Sequence, residues 1–152
     1  MKMSFFPRSI LLATDGSDEA ELAAQAAVEL SKVTGSEVHV IYTLPTPAQL
    51  LGPHHYSEEI RESLIGGAER DAEKFLKEQA ERLESDGAKV AETHLRSGDP
   101  AKEILRAAEA LDVGMIVVGS RGLGAISRAL LGSVSDSVVR HAHCPVLVVR
   151  PE

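Results

Sequence analysis

Two periodicities take turns along this chain. The run "SILLAT" (9–14) is short and apolar and ends at the turn dipeptide Asp15-Gly16, which predicts a strand. From 18 to 33 the apolar positions Ala20, Ala23, Ala24, Ala27, Val28 and Leu30 fall at helical spacing, with Gly35 placed to stop the helix. "EVHVIY" (37–42) alternates and then runs apolar, as a strand does. "TLPTPAQLLGPHHY" (43–56) holds three prolines and a glycine, and its punctuation predicts a loop. A long amphipathic helix is predicted from about 57 to 86, with Ile60, Leu64, Ala68, Ala72, Phe75, Leu76 and Leu83 along one stripe. Gly66-Gly67 weakens its early turns, and Gly87 can end it.

The second half continues the alternation. "KVAETHLRSG" (89–98) reads as a strand. "DPAKEILRAAEAL" (99–111) opens with Asp at the N-cap and Pro at the first helical position, which fixes a helix start. "VGMIVVG" (113–119) is apolar and uncharged, as suits a central parallel strand covered on both faces. Ser133-x-x-Asp136 is a capping-box pattern and places another helix start near Ser133. "CPVLVVR" (144–150) reads as a terminal strand. The sum is βαβαβαβαβ, which predicts an α/β fold: a doubly wound parallel sheet of five strands, helices on both faces, right-handed crossovers. At 152 residues the chain is expected to form one domain, spanning 1–152.

Composition narrows the function classes. Aromatics are 3% with no Trp, so the core must be aliphatic. The net charge of −7 argues against a general nucleic-acid or anionic-membrane surface, while leaving room for a small local anion site. A lone cysteine, Cys144, makes neither an internal disulfide nor a cysteine-based metal site, and is read as an inert buried thiol. The first residues, "MKMSFFPRSILLATDG", contain no 18-residue apolar span, so neither signal peptide nor membrane helix is expected and a cytoplasmic location is.

Ligands of doubly wound sheets bind beyond the carboxyl ends of the strands, where the winding reverses. Two segments are candidate walls of such a crevice: "ATDGS" after the first strand and "GSRGLGAISRALLGSVSDSVV" (119–139) after the fourth. In the second, Gly119 and Gly122 allow a tight turn and close approach to a ligand. Gly132-Ser133 leads into a helix whose first N–H groups favour an anion. Ser133 and Ser135 add hydroxyls, and Arg121 and Arg128 add positive charge. Neither the P-loop nor the dinucleotide glycine pattern is present. Asp15 can accept hydrogen bonds from a ribose or adenine, or merely shape its Asp-Gly turn. His54-His55 are adjacent and do not converge on one metal ion by themselves. His39 and His94 fall in strands, and His141 and His143 near a helix end, where structural or solvent roles suffice.

Gly119-x2-Gly122-x9-Gly132-Ser133 resembles the nucleotide-binding signature of the universal stress protein family. So do "ILLATDGS", "HVIYTL", "SGDPAKEI", "IVVGSRG" and "HCPVLVV", which together span nearly the whole chain. The resemblance implies a Rossmann-like sheet of order 3-2-1-4-5 and an adenine nucleotide as ligand: ATP, or ADP or AMP, alone or with Mg2+. It implies that Asp15 and the backbone of Ala13 and Val40, with Thr14 beside them, hold the adenosine end. Gly119 would lie near the ribose. Gly122, Gly132, Ser133, Val134 and Ser135 would hold the phosphates, with Arg121 at a variable position of the signature. It also implies a homodimer through the strand at 145–150. Three functions remain open at this point: a nucleotide-binding stress-response or regulatory protein; a slow ATP hydrolase or nucleotidyl-transfer enzyme using Asp15 and a divalent ion; and an interaction module with a vestigial pocket.

Overall fold

A computed structural model describes residues 7–121 and 131–152. Five strands, β1 (Ser9–Thr14), β2 (Glu37–Leu44), β3 (Lys89–Ser97), β4 (Met115–Gly119) and β5 (Val146–Val149), form one parallel sheet of order β3-β2-β1-β4-β5. The helices described are α1 (Asp18–Thr34), α2 (Pro47–Leu51), α3 (Glu58–Ser85), α4 (Pro100–Leu111) and α5 (Ser133–His141). The strand order is the one the resemblance implies. Alternation of side chains along each strand divides the core in two. Ile10, Leu12, Val38, Val40 and Val117 pack with α1 and α3 on one face; Leu11, Ile41, Ile116 and Val118 pack with α4 and α5 on the other.

The predicted caps explain most boundaries. Ser17 caps α1 by accepting the Ala20 N–H at 3.1 Å, and Gly35 closes it at φ 75°. Asp99 caps α4 by accepting the Lys102 N–H at 3.0 Å, with Pro100 behind it.

Four expectations are corrected. The segment 43–56 is not all loop: β2 runs on to Leu44, and Thr46, Pro47 and Gln49 make a capping box that starts α2. Ile60 and Leu64, placed on the buried stripe of α3, are 51% and 46% exposed, because only the later part of the helix (Ala72, Leu76, Leu83) is buried in the core. The Ser133-x-x-Asp136 pattern caps nothing. Gly132 is the N-cap and Ser133 is already helical, while Asp136 pairs with Arg140 at 3.0 Å. Cys144 is half-buried rather than buried, and its desolvation pushes the thiol above its ordinary range, which keeps it unreactive.

Candidate functional site

The winding reverses between β1 and β4. From β1 the chain crosses to the α1 and α3 face, and from β4 to the α4 and α5 face. Their carboxyl ends therefore diverge and leave a crevice, whose walls are local structures that can be built residue by residue.

At the β1 wall, Asp15 turns its Oδ1 back to accept the Ser17 N–H at 2.9 Å, an Asx-turn that feeds the cap of α1. Gly16 follows at φ 81°, the left-handed region where a side chain is strained. Beside it Phe75 of α3 packs on Tyr42 of β2, with ring centres 5.2 Å apart. Ala13 and Thr14 are half-buried at the strand end. Val40 is not at that level: it lies mid-strand, paired with Leu12 and Thr93, and fully buried. The β2 residues level with or beyond Thr14 are Tyr42 to Leu44.

At the β4 wall, Glu19 of α1 reaches across and is gripped by three donors. Ser120 Oγ donates to Glu19 Oε2 at 2.5 Å, the Arg121 N–H donates to the same oxygen at 2.6 Å, and Arg121 Nη2 meets Oε1 at 2.7 Å. Burial pushes the Glu19 carboxyl up, but the Ser120 hydroxyl, the Arg121 N–H and the Arg121 guanidinium outweigh it, so it titrates below its ordinary range. Gly119 sits under this clasp. A Cβ there would lie 2.9 Å from the Glu19 carbonyl carbon and oxygen, so the helix backbone itself demands glycine. Neither the Glu19 clasp nor this packing reason for Gly119 had a local sequence signal, because the partners lie about a hundred positions apart.

The start of α5 is fastened to the same strand end. The Ser120 carbonyl accepts the Gly132 N–H at 2.7 Å and the Ser135 hydroxyl at 2.6 Å. Ser120 and Ser135 are both 2% exposed. The Ser135 hydroxyl, predicted as a ligand donor, is therefore occupied within the scaffold. The first intrahelical bond is Asp136 N–H to Gly132 O at 2.9 Å. Ser133, Val134 and Ser135 precede it, so their N–H groups have no acceptor in the helix, and Gly132 has no side chain to cap them. Ser133 is exposed and Val134 half-buried. Gly119, Arg121, Gly132, Ser133, Val134 and Ser135 thus converge at one junction, with Ala13, Thr14 and Asp15 on the neighbouring strand end. Gly122, Gly124 and Arg128 lie outside the described residues.

Among the described residues, no group of three or more His, Cys, Asp or Glu is placed to hold a metal ion, and no helix is long and apolar enough to cross a membrane.

Sheet order, winding reversal and an uncapped helix start at the reversal define an α/β protein of the class that holds ligands beyond its strand ends. The chain belongs to the universal stress protein family, whose family model matches residues 7–150. It is similar to universal stress protein YxiE of Bacillus subtilis, at 37% identity over 149 residues, with 93% of this chain and 97% of the relative covered. Two solved structures match its fold and carry ligands. One is a universal stress protein in complex with cAMP, 25% identical, TM-score 0.68, covering 94% of this chain and 96% of that one. The other is the universal stress protein from Archaeoglobus fulgidus in complex with dAMP, 27% identical, TM-score 0.62, covering 93% and 96%.

Proposed function

We propose that this chain binds an adenine nucleotide at the β1/β4 crevice, with ATP, ADP or AMP as the physiological ligand and Mg2+ accompanying the longer phosphates. The observation that carries the reading is the junction at Ser120. Its carbonyl holds Gly132 and Ser135 at the sheet's carboxyl edge, where α5 begins and the N–H groups of Ser133, Val134 and Ser135 have no acceptor within the helix. Those groups, with Gly119, Gly122, Gly132 and Arg121, hold the phosphates and ribose; Ala13, Thr14 and Asp15 hold the adenosine end. Relatives bound to cAMP and dAMP support the adenine assignment. The whole chain acts as one nucleotide-binding domain.

Binding rather than turnover is the function, in a cytoplasmic stress-response or regulatory role. Asp15 Oδ1 is turned onto its own loop and the Glu19 carboxylate is wrapped by donors, so neither is poised as a base. The exposed edge strand β5, with Leu147 36% exposed, is the dimerisation surface of a homodimer.

Thermal unfolding with ATP, ADP, AMP and cAMP tests the site. A ligand at a hundred times its Kd adds about 2.7 kcal/mol. The Ser133→Pro variant is the matched control. Proline is favoured at the first helical position, and Gly132 at φ −66°, ψ 162° already has the backbone a preceding residue needs. The variant should fold as wild type and lose most of the shift, because it lacks one N–H and one hydroxyl. A wild type unmoved by every nucleotide at millimolar concentration overturns the proposal.

A further inference from the structure

The sequence leaves His39 and His94 as isolated histidines 55 positions apart. The fold makes them a pair. Register sets Glu92 opposite His39 and His94 opposite Ile41, so the two imidazoles are diagonal neighbours on adjacent strands. His39 Nδ1 lies 3.0 Å from His94 Nε2, with ring centres 5.2 Å apart and planes at 34°. Both project from the face that carries α4, since Val38 and Val40 on either side of His39 belong to the opposite core. His39 is 8% exposed, and His94 is half-buried on the edge strand of the sheet.

We propose that His39 and His94 form a two-histidine site for a divalent transition-metal ion, with zinc, nickel and copper as the chemical class. Two imidazoles on a tetrahedral ion at about 2.0–2.1 Å have their nitrogens about 3.3 Å apart and their ring centres about 5.2 Å apart. In the free protein the two nitrogens make a direct hydrogen bond at 3.0 Å; to take an ion, the shared proton moves to the other nitrogen of its ring and both rings turn, opening the nitrogens by about 0.3 Å at an unchanged separation of ring centres. Strand pairing has fixed the ring positions in advance, so little side-chain freedom remains to be lost on binding. A metal takes neutral imidazole. The charges flanking His94 at two-residue spacing on β3 are Glu92, which favours a cation, and Arg96, which opposes one. No third protein ligand is placed among the described residues, so the two imidazoles are the only side chains that would hold the ion. Affinity is accordingly modest and follows imidazole preference, copper above nickel, with magnesium and calcium excluded as oxygen-seeking ions. The bound ion ties the edge strand β3 to β2.

The experiment uses nucleotide-free full-length chain, stripped with chelator, so it reads this site independently of the crevice. Unfolding is followed at neutral pH with Zn2+, Ni2+ and Mg2+, and calorimetry gives stoichiometry and Kd. At ten times Kd, zinc or nickel should raise the folding equilibrium constant about elevenfold, and magnesium should leave it unchanged. His94→Asn, at a half-exposed edge position, should keep the fold and lose at least tenfold in metal affinity. The control His54→Asn/His55→Asn should respond as wild type. Imidazole NMR signals of both His39 and His94 should shift together on adding zinc. No metal response in wild type, an equal response in His94→Asn, or loss of response in the His54/His55 control overturns the site.

Discussion

Replacing Glu19 tests how far the crevice depends on a clasp that runs from α1 to β4. The carboxylate accepts three charge-assisted hydrogen bonds, at 2.5, 2.6 and 2.7 Å, with its own side chain 13% and that of Arg121 19% exposed. Each such bond to a charged group is worth about 1.5–3 kcal/mol alone, but three on one group are not additive. The pair is also not fully dry, so the 3–5 kcal/mol typical of breaking a buried pair is an upper limit. Glu19→Ala should therefore cost about 2–3 kcal/mol, which for a domain of this size lowers Tm by roughly 5–10 °C. Glu19→Gln keeps the shape and one acceptor, and should lose about half as much. The pH dependence gives a second reading. The folded-state pKa of Glu19 lies below its unfolded value, so its stabilisation is fully present above the unfolded pKa of about 4.3 and fades as pH falls through the folded value. The gap between wild type and Glu19→Gln in urea denaturation should be constant from pH 6 to 8 and narrow below pH 4. A Glu19→Ala protein within 0.5 kcal/mol of wild type, or a gap that does not change with acid, would refute the clasp.

Two other predictions follow from the same junction and from the sheet edge. Gly119→Ala drives a Cβ to 2.9 Å from helix backbone that cannot yield as a side chain would, so denaturant unfolding should show a loss of about 1–3 kcal/mol even without nucleotide. If the loss appears only in the presence of ligand, ligand approach and not α1 packing explains the glycine. Leu147→Lys on β5 should convert a dimer to monomer in sedimentation with little loss of monomer stability, since the side chain is 36% exposed; an unchanged assembly excludes this edge as the contact.

What was legible in the sequence is what local chemistry dictates. Asp99-Pro100 announces α4, Gly35 ends α1, and the uncharged run at 113–119 contains β4. The same local rules misled where two of them competed. Proline density between 43 and 56 signalled a loop, while Thr46-Pro47 with Gln49 was a helix opening in plain view. Ser133 matched a capping pattern, but Gly132 took the cap, because the Ser120 carbonyl draws the Gly132 N–H to the strand end. The two ends of the glycine-rich segment meet at the junction, and the reasons are non-local. Glu19 packs onto Gly119, and the Ser135 hydroxyl serves Ser120. His39 meets His94 only once β2 and β3 pair with a register shift between Val38 and His39. A strand pattern read from one end cannot contain that shift.

The scarcity of aromatic residues gives the Tyr42–Phe75 contact an optical consequence. The chain has no tryptophan and two tyrosines, and one of these, Tyr56, is 39% exposed and outside the core. Tyr42 is the other, packed on Phe75 where that ring also approaches Gly16, next to Asp15. Its near-ultraviolet dichroism therefore reports on the end of β2 beside the crevice without any label. The protein carries its own chromophore on the strand position paired with Thr14, the residue before Asp15, in an otherwise nearly transparent core.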